Sequence, residues 1–230
     1  MIIWIFREQR SGGTGFTSLI ANRLNRIDKF VNSYPEEHEN FSILSSLKYI
    51  ESVKNISDPE NYVFSTHSFN FIEIMNSYTK PVTLIRCTRR DKVEKCLSYL
   101  IAKYRISRIG KKTNAWNIMR TDNLSEYTSR LDALEPTFFT KVEIYNYLRH
   151  CTEMNQYWES YASSYQNCTV FYEDICTDIG VDLPMIGLTS LSLTNDDTTT
   201  IKMPSYKEQL CTNYDMVSRW VSEYYLENRI

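Results

Sequence analysis

The segment Gln9-Arg10-Ser11-Gly12-Gly13-Thr14-Gly15-Phe16-Thr17-Ser18 concentrates residues that could do chemistry. Its glycines let backbone N–H groups come close to a ligand, and the Ser and Thr hydroxyls add further donors. The apolar run Ile2-Ile3-Trp4-Ile5-Phe6 precedes it, and Leu19-Ile20-Ala21-Asn22-Arg23-Leu24 follows at helical spacing. The order is strand, glycine-rich turn, helix. Such a turn aims several backbone N–H groups and a helix N-terminus at one point, an arrangement suited to phosphate. Loops that bind ATP or GTP end in Gly-Lys-Ser/Thr, with the lysine on the terminal phosphates. Here Phe16 stands in place of that lysine, and the basic residue, Arg10, is at the front of the turn. Two side chains could accept a proton. His67 follows the run Tyr62–Thr66 and titrates near neutrality. Glu37 lies in an acidic group with Glu36 and Glu39.

Positioning these residues requires a scaffold, and the patterning predicts one. Ile2–Phe6, Tyr62–Thr66, Val82–Arg86 and Thr169–Glu173 read as strands. Helical stripes lie between them: Ile20, Leu24, Ile27 and Val31 within Thr17–Val31, then Val93, Cys96, Leu97, Leu100, Ile101 and Tyr104. Tyr145, Leu148, Trp158 and Tyr161 mark a third helical region, and Val217, Trp220, Val221 and Tyr224 a fourth. All four stripes read as core-packing faces. Alternating strands and helices predict an α/β fold with a mainly parallel central sheet flanked by helices. Ligands of such sheets lie at the carboxyl ends of the strands, where the Arg10 turn falls.

At 230 residues the chain fits a single domain over 1–230. Residues 105–140 have weak periodicity and a basic cluster of Arg105, Arg108, Lys111 and Lys112, and read as an insertion or lid. Thr189–Thr200, rich in Thr, Ser, Asn and Asp, reads as a loop. Hydrophobic residues make up 42%, enough for a sizeable core, and the formal net charge of −2 argues against a nucleic-acid partner. The 6 cysteines and 3 histidines show neither C-x-x-C pairs nor metal-type spacing, so no metal is expected. No leader is visible at the start, and no run approaches the roughly eighteen apolar residues of a membrane span. A cytoplasmic protein with free thiols and no membrane partner is expected.

Arg10-Ser11-Gly12-Gly13-Thr14 resembles the 5′-phosphosulfate loop of sulfotransferases, usually Lys/Arg-Ser/Thr-Gly-Ser/Thr-Thr, with Gly13 departing from it. Thr88-Arg89-Arg90-Asp91-Lys92 followed by Cys96-Leu97-Ser98 is similar to the 3′-phosphate element of bacterial carbohydrate sulfotransferases of the nodulation-factor and trehalose type. Val170-Phe171-Tyr172-Glu173-Asp174-Ile175 resembles the family's Phe-Tyr-Glu-Asp-Leu strand end, whose Tyr lies near adenine. Ile201-Lys202-Met203-Pro204 resembles the basic loop over the 3′-phosphate, without the Arg-Lys-Gly triplet of cytosolic members. The resemblance covers most of the chain in the family's order and leaves the central insertion unmatched.

The resemblance implies a P-loop NTPase-like sulfotransferase fold and 3′-phosphoadenosine-5′-phosphosulfate (PAPS) as co-substrate. The sulfuryl acceptor is then a hydroxyl of a small molecule or carbohydrate. Residues 10–16, namely Arg10, Ser11, Gly12, Gly13, Thr14, Gly15 and Phe16, would hold the phosphosulfate. Arg89 and Ser98 would hold the 3′-phosphate, with Arg86 the alternative arginine, Tyr172 near adenine and Lys202 in the covering loop. His67, in Ser65-Thr66-His67-Ser68, resembles the catalytic histidine of the Lys-Thr-His-Leu-Pro motif of cytosolic members, with Ser65 in place of the Lys and no Leu-Pro. Glu37, in Pro35-Glu36-Glu37, resembles the catalytic glutamate after Pro-x of trehalose-type enzymes. Arg10 would stabilise the leaving phosphate. The rival readings are a P-loop nucleotide kinase or other phosphotransferase and a catalytically inactive nucleotide-binding module.

Overall fold

The computed structural model describes residues 2–8, 13–26, 31–34, 61–66, 81–109, 118–119, 134–193, 200–201 and 210–229. They form two compact units, one from residues 1–88 and 156–198 and the other from 89–155 and 199–230. The fold class is α/β, as the patterning predicts.

The first unit is built on β1 (Ile2–Arg7), β2 (Val31–Tyr34), β3 (Asn61–Thr66), β4 (Val82–Thr88) and a later strand, Gln166–Phe171. The strands pair in the order β2-β3-β1-β4 and then Gln166–Phe171, and every pairing is parallel. Central parallel strands are covered on both faces and so read as continuous apolar runs, which is how β1 and β4 are written. Ile3, Ile5, Val63, Ile85, Cys87 and Val170 turn one face toward α1 (Gly13–Arg26), where Phe16, Leu19, Ile20 and Leu24 recur at helical spacing. The alternate residues Trp4 and Phe6 are buried on the other face, and the Phe6 ring stacks on Trp158 at 6.0 Å.

The helices of the second unit are α2 (Lys92–Ile109), most of α3 (Lys141–Ala162) and a C-terminal helix, Tyr214–Glu227. Asp91 caps α2 by accepting the Glu94 N–H at 2.8 Å. Thr140 and Glu143 form a reciprocal capping box on α3: Glu143 Oε2 accepts the Thr140 N–H at 2.9 Å, and Thr140 Oγ1 accepts the Glu143 N–H at 3.3 Å. Cys96, Leu97, Leu100, Ile101, Ile144, Leu148, Val217, Val221 and Tyr224 close a core of their own, with the rings of Tyr99 and Tyr147 stacked at 4.3 Å. Two short strands, β5 (Ile118–Met119) and Thr200–Ile201, pair antiparallel.

The later elements of the chain are β6 (Gln166–Phe171), α4 (Tyr172–Ile175), β7 (Val181–Leu183), β8 (Leu188–Leu191), β9 (Thr200–Ile201) and α5 (Tyr214–Glu227). Several boundaries differ from expectation. The strand expected over Thr169–Glu173 starts and ends earlier, because Tyr172 opens the single turn α4. The helix expected through Val31 ends at Arg26, and Val31 begins β2. Part of the expected loop Thr189–Thr200 is strand, since Leu188–Leu191 pairs with Val181–Leu183 as a hairpin. Gly180, at a φ of 69°, leads into that hairpin with its Cα against the Leu191 carbonyl, where a Cβ would sit 2.5 Å from the oxygen. Of the expected insertion, Arg105–Ile109 continue α2, and residues 110–117 and 120–133 lie outside the described residues. No helix among the described residues is long and apolar enough to cross a membrane.

Candidate anion-binding site at the ends of β1 and β4

The strand order decides where a ligand can enter. The chain leaves β1 toward β2 on one side of the sheet and leaves β4 toward β6 on the other. Between β1 and β4 the connections therefore diverge, and such a switch point opens a crevice beyond the carboxyl ends of the two strands. In the parallel register Phe6 lies beside Arg86 and Arg7 beside Cys87. Glu8 follows β1 in sequence, and Arg89 follows β4.

Residues 9–12 of the turn, Arg10, Ser11 and Gly12 among them, lie outside the described residues. Gly13 and Thr14 belong to α1, so the helix begins inside the glycine-rich motif. The first four N–H groups of a helix have no partner within it, and in α1 these belong to Gly13, Thr14, Gly15 and Phe16. The Phe16 side chain is fully buried among Ile3, Ile5, Leu19 and Ile20. The position that carries a phosphate-reaching lysine in ATP- and GTP-binding loops is here a hydrophobic anchor for the helix. What Phe16 can offer a ligand is its backbone alone.

Across the switch point, Glu8 joins the two strand ends. It is 4% exposed. Its Oε1 accepts from Arg86 Nε at 2.6 Å and also from Arg86 Nη2, and its Oε2 accepts from Thr88 Oγ1 at 2.7 Å. The Glu8 N–H donates to the Cys87 carbonyl at 3.2 Å. Arg86 is thereby held on a carboxylate of the fold itself. Sequence reasoning singled out Arg86 and missed Glu8. The available signal was an acidic residue immediately between an apolar strand and a glycine-rich turn.

Arg89 follows the last residue of β4 and is half-buried, with its carbonyl accepting from Lys92 Nζ at 3.1 Å. Ser98 is half-buried about two turns into α2. Both belong to the second unit. One turn before Ser98, Lys95 is buried, and burial pushes its pKa down against the opposing influence of the Cys151 thiol, to which it hydrogen-bonds. Burial also pushes up Cys96 and Tyr147 in the same core. Tyr172 opens α4 at the end of β6 and packs against the core of the first unit. His67 is next in sequence after Thr66, the last residue of β3, and His67, Glu37 and Lys202 lie outside the described residues.

Comparison with protein-family models, with curated proteins and with solved structures found no match to this chain.

Proposed function

We propose that the protein is a sulfotransferase that moves a sulfuryl group from PAPS to a hydroxyl of a small-molecule or carbohydrate acceptor, on a P-loop-like α/β fold. The observation that supports this reading is a glycine-rich, lysine-free segment that runs from β1 into α1 and buries Phe16 at the position of the loop lysine. A loop with Phe16 buried in the core lacks the side chain that ATP- and GTP-binding loops place on terminal phosphates, while its helix N-terminus still suits a phosphosulfate. Arg86 is occupied by Glu8, which favours Arg89, with Ser98, as the 3′-phosphate group.

In the proposed reaction the acceptor oxygen attacks sulfur and the bond from sulfur to the bridging phosphate oxygen breaks. The electron pair leaves on the 5′-phosphate, where Arg10 and the turn's N–H groups stabilise the growing charge. The acceptor proton passes to His67, with Glu37 the alternative base. Tyr172 lies near adenine and Lys202 covers the 3′-phosphate.

A thermal-shift comparison tests the reading. The desulfated product 3′-phosphoadenosine-5′-phosphate is expected to raise the unfolding midpoint with or without magnesium, since a hundredfold excess over Kd adds about 2.7 kcal/mol of stability. ATP with magnesium is expected to leave it unchanged. Stabilisation by ATP and magnesium alone would replace this reading with a phosphotransferase. Binding of the product without sulfuryl transfer across a broad acceptor panel would leave an inactive nucleotide-binding module.

A further inference from the structure

Lys95, on α2, is 3% exposed. A lysine is almost never fully buried, because its flexible stem usually carries the amine out to water. Here the stem carries it inward, to a thiol. Cys96 adjoins it on α2, and Tyr147 and Cys151 lie one turn apart on α3, all three buried in the core of the second unit. The Lys95 amine and the Tyr147 hydroxyl both hydrogen-bond to Cys151. Of the three thiols in this core, Cys151 is the least enclosed: it is 8% exposed, against 3% for Cys211 and 0% for Cys96. Its neighbour His150 is exposed, and none of the three is in a disulfide. Burial also holds the Lys95 pKa down, which favours the neutral amine, the form with a lone pair to give.

We propose that Lys95 and Cys151 form a site of reversible oxidative modification, at which a peroxide closes a sulfur–nitrogen bond between Cys151 Sγ and Lys95 Nζ and staples α2 to α3. In the first step the Cys151 sulfur attacks one peroxide oxygen and the O–O bond breaks, giving the sulfenic acid and one water. The Lys95 lone pair then attacks that sulfur and the S–O bond breaks. The departing hydroxide takes the proton the amine loses and leaves as a second water. Thiol and amine together lose two electrons and two hydrogens, and the peroxide is reduced to water. Sulfenic acids condense with a backbone nitrogen in the same way. An amine already hydrogen-bonded to the sulfur holds the attacking atom in place. Reduction reverses the link: an added thiol takes the sulfur as a mixed disulfide and frees the amine, and a second thiol frees Cys151.

The test is peptide mapping of the full chain after treatment with hydrogen peroxide, with remaining thiols capped by N-ethylmaleimide on unfolding and digestion carried out without reductant. Cys176, exposed in the first unit, reports when enough oxidant has been added. The expected product is a peptide pair joined between Lys95 and Cys151, lighter by two hydrogens than its separate halves and lost after dithiothreitol. Lys95→Arg keeps a cation, but its guanidinium is no nucleophile at neutral pH. In that variant the link should vanish and Cys151 should be trapped by dimedone as the sulfenic acid. If Lys95→Arg fails to fold, the wild-type map decides alone. A disulfide from Cys151 to Cys96 or Cys211, an over-oxidised Cys151 beside unmodified Lys95, or a Cys151 still reduced once Cys176 is fully oxidised would each overturn the proposal. So would the same yield of link from protein oxidised in denaturant, since the fold would then have no part in bringing the pair together.

Discussion

Arg86 and Arg89 stand three residues apart at the end of β4, and their surroundings assign them different work. Arg86 is spent on Glu8, so an added phosphate would have to displace a carboxylate already held by three hydrogen bonds. Arg89 sits just beyond the strand, half-buried. Arg89→Ala is expected to weaken 3′-phosphoadenosine-5′-phosphate by about 1.5–3 kcal/mol, the usual worth of a charge-assisted hydrogen bond, and to leave adenosine 5′-phosphate nearly unchanged. Titration of both nucleotides checks this, and equal losses would remove Arg89 from the 3′-phosphate. The base is decided in the same way. His67→Ala should keep product binding and lose most transfer, with the wild-type rate rising through a pKa near neutrality, while Glu37→Gln is the milder change. The reverse ranking, in variants that still bind the product, would make Glu37 the base.

Among the elements, α2 carries the motif in which a structural and a binding role are most easily confused. In Thr88-Arg89-Arg90-Asp91-Lys92 the Asp91 carboxylate is the helix cap, bonded to the Glu94 N–H. Asp91→Ala should therefore cost about 1 kcal/mol of stability, as lost caps do, and Asp91→Asn much less, with nucleotide affinity little changed in either. Denaturant titration with a parallel binding measurement separates the two roles, and a loss of affinity without a loss of stability would place Asp91 in the site. The elements that the sequence revealed best are those whose burial is written in one short stretch. β1, β3 and β4 lie within two residues of their expected ends, because each carries a short run of apolar, aromatic or β-branched residues. β6 was misplaced because it starts on the exposed Gln166 and Asn167, where no apolar signal exists. The β7–β8 hairpin went unread because exposed Asp182, Thr189 and Ser190 interrupt its apolar positions. At the candidate site only the local setting is legible: the glycine-rich segment follows β1 and runs into α1, and Arg89 follows β4. The Glu8–Arg86 pair is not, since it depends on the register of two strands 78 residues apart in sequence.

At the scale of the whole molecule, the sequence predicts one domain, and the described residues form two compact units with separate cores. Stripes on α2, α3 and α5 announce that a face is buried, but periodicity does not say against what. Here the three close on one another. Each core also buries titratable groups, so the stability of the protein should carry their signature in alkali. Cys168 on β6 packs against the first core, and burial pushes its thiol up from 9.0 to about 11. The folded state then keeps a proton that the unfolded chain releases, so this contribution is complete below pH 9.0 and is lost as pH rises toward about 11. Lys95 in the second core has the opposite sign. Its pKa is pushed below 10.5 by burial, so the folded state sheds a proton first and stability rises with pH between the lowered value and 10.5. Denaturant unfolding of wild type, Cys168→Ala and Lys95→Met from neutral pH to pH 11 reads both. Cys168→Ala should differ from wild type by a constant offset below pH 9 and by a shrinking one above it, because the variant has no thiol to lose. Lys95→Met should be favoured over wild type most at neutral pH, and its advantage should fade as the buried amine of the wild type becomes neutral. Curves that stay parallel across the whole range would mean that neither group titrates differently in the folded protein, and would place both side chains in contact with water.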